Sequence, residues 1–138
     1  MPVTKEFTLL IEDRPGTLGR VCRALADRNV NILGVHSFPI GGKSVTRFIV
    51  DNPTTAKTVF EGQPLSFTET DVVQVKLPHR PGAIARAASQ LGEANININY
   101  AYCGLESNTN TPLVFFGVAD IGQAAPILEQ AAAAAAKP

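Results

Sequence analysis

A short segment near the start of the chain is repeated later in the same register. Residues 13–18, Asp-Arg-Pro-Gly-Thr-Leu, return 66 positions later as residues 79–84, His-Arg-Pro-Gly-Ala-Ile. Between residues 13–32 and residues 79–98, eight of twenty positions are identical and no gap is needed. Two copies indicate a duplicated small domain, because solenoids need about three or more repeats to bury a core. The duplication also gives one chain two equivalent loops, and we expect function there.

Length and charge limit the possible classes of protein. A chain of 138 residues forms one ordinary domain or two very small ones. Each half is too small to bury its surface well alone, so we expect the halves to pack together or to dimerise. Twelve basic and twelve acidic residues give a net charge of zero, and no basic cluster with aromatic residues indicates nucleic-acid binding.

Cysteine usage and hydropathy predict a cytoplasmic protein. Two cysteines, Cys22 and Cys103, are too few for a disulfide framework in a chain of this size. We expect Cys22 to be buried on a helix face and Cys103 to lie at a strand end. The chain shows no apolar leader and no segment long enough to span a membrane, so we expect no membrane contact.

Hydrophobic periodicity predicts the order β-α-β-β-α-β for the first half. Alternating apolar residues indicate a strand over residues 7–11, and Pro15 with Gly16 ends it. From Leu18 the apolar spacing becomes helical, and Asn29 is a suitable left-handed stop. The remaining predicted elements are strands at 30–35, 44–51 and 65–70, a loop at 38–43, and a short helix that begins at Pro53.

The second half repeats this order, except that no strand follows its last helix. No turn signal interrupts residues 67–77, so we predict one long strand that ends the first half and begins the second. Split β-α-β units of this kind form antiparallel sheets with helices on one face, an α+β fold of the ferredoxin-like type. The other predicted elements are a helix at 83–93, strands at 96–103 and 113–119, a polar loop at 106–111, and a helix from about residue 123 into the alanine-rich end.

The repeated segment resembles the start of an ACT domain, the small-molecule-sensing module of amino-acid metabolism. That family shows a strand, an acidic residue or Asn, x-Pro-Gly-x-Leu, a helix, and then a strand that begins Gly/Asn-aliphatic-Asn-Ile. Both halves match this pattern, which implies a stand-alone tandem ACT-domain protein with a first domain at 1–70 and a second at 71–138. His79 departs from it, because the family usually has Asp or Asn there, and the loops at 39–44 and 104–111 differ between the halves.

The resemblance implies that the Pro-Gly loops bind an amino acid, and the physical chemistry agrees. Unpaired amide groups at a helix start attract a carboxylate, and a glycine lets the ligand approach the backbone closely. Asp13 is suited to receive an α-ammonium group, which His79 cannot do, so we expect the first loop to dominate binding. The expected ligand-binding residues are Asp13, Arg14, Pro15, Gly16, Thr17, Leu18, Asn31 and Ile32 in the first half, and His79, Arg80, Pro81, Gly82, Ala83, Ile84, Asn97 and Ile98 in the second.

Each of these residues also has a purely structural interpretation. A Pro-Gly corner suits a strand-to-helix turn without any ligand, and Asn31 and Asn97 are able to bond to the local backbone instead. Arg20 and Arg86 are expected to lie on solvated helix faces. Residues 40–44, Ile-Gly-Gly-Lys-Ser, end like a phosphate-binding loop but lack its first glycine and join two strands.

The chain lacks the residue combinations of an enzyme or of a metal protein. No nucleophile-and-base set, carboxylate pair or cofactor fingerprint stands out, and the lone histidines have no metal-ligand spacing. We therefore expect no catalytic residues, no metal and no cofactor. The predicted function is that of a regulatory homodimer that senses an amino acid at ACT-domain interfaces. The alternative is a ligand-free interaction module that assembles with an enzyme of amino-acid metabolism.

Overall fold

The computed structural model describes residues 2–136, which form six strands and four helices in this range. Their order follows the predicted repeat of strands and helices. The elements are β1 (Val3–Glu12), α1 (Thr17–Asp27), β2 (Ile32–Ile40), β3 (Lys43–Val50), α2 (Pro53–Glu61), β4 (Ser66–Lys76), α3 (Ala83–Glu93), β5 (Tyr100–Leu105), β6 (Pro112–Gly117) and α4 (Ile121–Ala135).

The chain forms two compact units, which share the strands β1 and β4. The N-terminal unit comprises Lys5–Thr70, and the C-terminal unit comprises Asp71 onward together with the residues up to Thr4. The predicted long strand is confirmed, because β4 runs without interruption from Ser66 to Lys76. That residues 1–70 and 71–138 are separate ACT domains stays a prediction.

The antiparallel sheet of the N-terminal unit buries one face against its two helices. β3 lies between β1 and β2, with Phe7 opposite Phe48 in one pair of strands and Val35 opposite Phe48 in the other. The period-two alternation of β1 turns every second side chain toward the helices. The resulting core consists of Phe7, Leu9, Ile11, Val21, Leu25, Val30, Phe48, Val50, Ala56, Val59 and Phe60.

The C-terminal unit has the same order of elements up to its second helix. β6 pairs with β4 and β5, with Val73 and Ala101 both opposite Phe116. No strand follows α4 within the described residues, but the start of the chain lies beside β4: the Gln74 N–H donates to the Pro2 carbonyl at 2.5 Å. Val3 packs against the core of this unit. The start of the chain thus contributes backbone and side chain to the unit that lacks a last strand.

The asparagine helix stop is confirmed. Asn29 has a φ of 57°, and the Val30 N–H donates to the Leu25 carbonyl at 3.0 Å. Asn95 ends α3 in the same way, with a φ of 60°. This left-handed ending satisfies carbonyl groups that the helix leaves unpaired.

The predicted loop at 38–43 is wrong, because β2 continues to Ile40 and β3 begins at Lys43. Only two residues make the turn, and both are glycines with positive φ, 55° at Gly41 and 82° at Gly42. A two-residue hairpin turn of type I′ has positive φ at both positions. The segment is therefore a tight two-residue hairpin turn.

Candidate functional site

The first Pro-Gly loop ends in a left-handed glycine that begins α1. Gly16 is the N-cap residue and has a φ of 89°, and no side chain accepts a capping hydrogen bond from the first amides of the helix. The first helical bond runs from the Arg20 N–H to the Gly16 carbonyl at 3.0 Å, and the Thr17 N–H donates to the Arg14 carbonyl at 3.3 Å. The amides of Leu18 and Gly19 precede the first helical bond, so α1 offers them no carbonyl partner.

The second Pro-Gly loop has the same backbone. Gly82 is the N-cap residue of α3 with a φ of 91°, and the Arg86 N–H donates to its carbonyl at 2.9 Å. The Ala83 N–H donates to the Arg80 carbonyl at 3.3 Å, as Thr17 does to Arg14. The repeated sequence thus folds into two equivalent corners, each with the positive φ that glycine adopts most readily.

A cleft of about 150 Å³ adjoins the first loop within the N-terminal unit. Of the predicted site residues, it brings together Arg14 and Thr17. The other first-half residues of that set lie outside the cleft lining. The lining consists of Leu10, Ile11, Glu12, Arg14, Thr17, Arg20, Val21, Lys43, Gln63, Pro64 and Leu65.

The charged residues of this cleft are mostly ones that sequence reasoning missed. Arg14 Nε lies 3.0 Å from Glu12 Oε2, and both side chains are more than half exposed. Arg20, expected on a solvated face, lines the cleft three residues after Thr17, a spacing that places both on one side of α1. Lys43 lines the cleft because strand pairing places it opposite Glu12 in the β1–β3 register. Helical spacing could have indicated Arg20, but no local signal indicates Lys43.

Asp13 and the two asparagines make hydrogen bonds within their own units. Asp13 Oδ1 accepts from Ser44 Oγ at 3.3 Å. The Asn31 N–H donates to Asp51 Oδ1 at 2.9 Å, and Asn97 Nδ2 donates to the Asn99 side chain at 3.0 Å. The first of these two bonds is made by the backbone of Asn31, and the second joins two side chains, so neither is a bond from the asparagine side chain to the local backbone. Contact of Asn31 and Asn97 with a ligand stays a prediction.

The second loop adjoins a cleft of different character, in the C-terminal unit. This cleft has a volume of about 320 Å³ and a largely apolar lining. The lining consists of Leu77, Pro78, His79, Ile84, Cys103, Gly104, Leu105, Pro112, Leu113 and Val114. Arg80 is engaged elsewhere, since its Nη2 donates to the Ala135 carbonyl of α4 at 2.5 Å. The two loops therefore share a backbone but differ in the side chains around them.

The two cysteines also differ in their surroundings. Cys22 is partly buried on α1, and this burial raises the pKa of its thiol. Cys103 is exposed and lies in the second cleft. A raised pKa lowers the thiolate fraction at neutral pH, so Cys22 is the less reactive thiol.

Helix, sheet and loop together define a small α+β module of the ferredoxin-like type, with a glycine-capped corner in each half. Comparison with known families identifies the module. Residues 7–61 match the ACT domain family. The resemblance seen in the sequence of the first half is thereby confirmed.

Comparison with solved structures extends the likeness to nearly the whole chain. Protein BT0572 from Bacteroides thetaiotaomicron is 25% identical, with a TM-score of 0.81 over 94% of this chain and 88% of that one. The ligand-free regulatory subunit of aspartate kinase from Thermus thermophilus is 18% identical, with a TM-score of 0.65 over 95% and 97% of the chains.

A third similar structure is a complete enzyme. Aspartate kinase from Clostridium acetobutylicum, described as an allosteric enzyme, is 18% identical with a TM-score of 0.54 over 94% of this chain and 33% of its own. At 18% identity these kinase structures show a shared fold only. No curated protein matches the chain. Within the described residues, no helix is long and apolar enough to cross a membrane.

Proposed function

We propose that this protein is a regulatory module that binds an amino acid at its Pro-Gly strand-to-helix corners. The observation that carries the proposal is the Asp13–Leu18 corner inside the ACT domain, where Gly16 begins α1 without a side-chain cap. The free amides of the first helical turn suit an α-carboxylate, and Asp13 suits the α-ammonium group. The T. thermophilus structure, a regulatory subunit, has the same fold without a ligand.

The first corner is the stronger amino-acid site in this proposal. Asp13 is exposed and accepts one long hydrogen bond of 3.3 Å from Ser44, so its carboxylate retains acceptor capacity for an ammonium group. His79, at the equivalent position, has no negative charge to offer. Its neighbour Arg80 is bonded to α4, which removes a second group from the second corner.

Titration calorimetry with the twenty amino acids tests this proposal directly. Asp13→Ala should weaken the binding of the responding amino acid by about 1.5–3 kcal/mol, the usual worth of a hydrogen bond to a charged group. His79→Ala is the matched control in the other half, and it should cost less. If an amino acid binds Asp13→Ala as tightly as it binds His79→Ala, Asp13 is not part of the binding site. If none of the twenty amino acids binds the wild-type protein, the proposed function is refuted.

Exposed apolar side chains favour assembly as part of the function. Leu10, Val35 and Ile40 belong to the N-terminal unit, and each is 44% or more exposed. The strand registers place Leu10 and Ile40 on the same face of the sheet, and we propose that the protein forms a homodimer to which this face contributes. Apolar side chains that lie together in water are typical of association surfaces. Sedimentation at tens of micromolar should show a dimer, and Ile40→Lys should shift it toward monomer.

The second candidate function rests on the same exposed residues. A ligand-free module of this fold would use them to assemble with an enzyme of amino-acid metabolism. In that case titration with the twenty amino acids shows no binding. A pull-down from native extract then recovers an enzyme of amino-acid metabolism with the wild-type protein but not with Ile40→Lys.

A further inference from the structure

The cleft beside α1 has a charge excess that its own residues do not neutralise. Arg14, Arg20 and Lys43 line it together with a single carboxylate, that of Glu12. Glu12 pairs with Arg14. Neither Arg20 nor Lys43 forms an ion pair with any residue that the structure describes. Two positive charges are thus left without a counter-charge in one small cleft.

A buried hydroxyl lies in the same place without a hydrogen-bond partner. Thr17 lines the cleft and is 9% exposed, and its Oγ1 has no partner among the described residues. Buried hydroxyls without a hydrogen-bond partner are uncommon in folded proteins, so this one calls for a partner that the described residues do not supply.

The sequence repeat indicates that the fold does not need this hydroxyl. The equivalent position in the C-terminal unit is Ala83, which is 8% exposed and begins α3 with the same backbone. Because alanine supports the same corner, the Thr17 hydroxyl is not a requirement of the turn. It distinguishes the first corner together with Lys43, whereas Arg14 and Arg20 recur in the second half as Arg80 and Arg86. In the second corner, Arg80 instead donates to α4.

Part of the cleft wall is apolar. Leu10, Ile11 and Val21 come from β1 and α1, and Pro64 and Leu65 follow α2. Such walls favour the hydrocarbon part of a ligand over a bare inorganic ion. The amides at the start of α1 add partial positive charge at the same end of the cleft.

We propose that this cleft is a binding site for a small organic dianion with two carboxylates separated by a short apolar chain. Arg20 and Lys43 supply the two counter-charges, and Thr17 Oγ1 donates to one carboxylate. Asp13 does not line the cleft. The site shares Arg14, Thr17 and the first amides of α1 with the proposed amino-acid corner, but it requires neither an amino acid nor Asp13.

Calorimetric titration of the full chain with succinate at low ionic strength is the test. Acetate supplies one carboxylate, inorganic phosphate supplies a dianion without an apolar chain, and sodium chloride matches the ionic strength. We expect saturable succinate binding at least about tenfold tighter than acetate binding, since a second charge-assisted contact is worth about that factor. Phosphate should bind more weakly than succinate. Equal responses to succinate, acetate and sodium chloride would overturn the proposal.

Variants locate the site. Arg20→Gln should weaken succinate binding about tenfold, whereas Arg86→Gln, at the equivalent position in the C-terminal unit, should leave it unchanged. Thr17→Val should weaken binding severalfold, yet should not lower the melting temperature without succinate, because it removes an unsatisfied hydroxyl. If Arg86→Gln weakens binding as much as Arg20→Gln does, the site is not this cleft.

Asp13→Ala separates this proposal from the amino-acid site. The variant should keep its succinate affinity within about twofold, because Asp13 does not line the cleft. A loss as large as that of Arg20→Gln would mean that the two sites are one. Failure of the amino-acid titrations alone leaves the succinate result standing, so the two proposals fail separately.

Discussion

Replacing Gly16 by alanine should destabilise the protein, whereas the same change three residues later should stabilise it. A Cβ added at Gly16 meets no atom within 4 Å, so no collision contributes to the cost. The cost arises from the backbone, because a φ of 89° is one that side chains with a Cβ rarely adopt. An L-residue in a left-handed conformation costs about 1–2 kcal/mol.

Gly19 is the matched control within the same helix. A Cβ added there also meets nothing within 4 Å, and its backbone is helical. Alanine in a helix interior is more stable than glycine by about 0.5–1 kcal/mol. The two variants should therefore differ by about 1.5–3 kcal/mol in the free energy of unfolding, with wild type between them.

Urea denaturation followed by circular dichroism measures this difference, provided that the slope of the transition is the same in all variants. Gly82→Ala should behave like Gly16→Ala, since Gly82 has a φ of 91° and equally open space around it. Gly16→Asn should cost less than Gly16→Ala, because asparagine tolerates a left-handed conformation better. If Gly16→Ala is as stable as Gly19→Ala, the corner does not require a positive φ and the reasoning is wrong.

Three further predictions concern single residues outside the first Pro-Gly loop and its cleft. Asn29→Ala should cost about 1 kcal/mol in urea unfolding and Asn29→Gly less, because the residue ends α1 with a φ of 57°. A disulfide reagent at pH 8 should react quickly with exposed Cys103 and slowly with Cys22, whose pKa is raised by burial; equal rates would contradict this. A hydrogen bond from Lys76, and to a smaller extent one from Thr109, lowers the pKa of the Glu106 carboxyl in the folded protein. The ionised carboxylate therefore stabilises the fold at pH values above the pKa of Glu106 in the unfolded chain. This stabilisation disappears as pH falls through the lower pKa of the folded state. Carboxyl chemical shifts in a pH titration should show this lowered midpoint, and Lys76→Met should raise it.

Sequence reasoning predicted the elements of this fold well, because they depend on preferences of single residues and on short periods. The strand-to-helix change at Pro15 and Gly16, the helix stop at Asn29, and the unbroken β4 all follow from local backbone physics. The connection between β2 and β3 was predicted as a loop over residues 38–43, which is too long. The structure keeps Pro39 in β2 opposite Ser44, and only Gly41 and Gly42 make the turn.

The candidate site was predicted only in part, since sequence similarity identifies corners but not their surroundings. Repetition pointed to both corners equally. The structure distinguishes them through side chains distant in sequence: Arg80 bonds to Ala135, 55 residues away, while Lys43 reaches the first cleft by lying opposite Glu12. Such a difference between two similar segments cannot appear in the segments themselves.

The sequence by itself therefore determined the duplicated β-α-β pattern, the glycine-capped corners and the family of the first half. Each of these depends on backbone dihedral angles or on residue spacing within a few turns of chain. Only the tertiary structure decided which charges meet, which hydroxyl is left without a partner, and how the start of the chain comes to lie beside β4. Those outcomes depend on strand register and on packing between distant segments, which no local preference specifies.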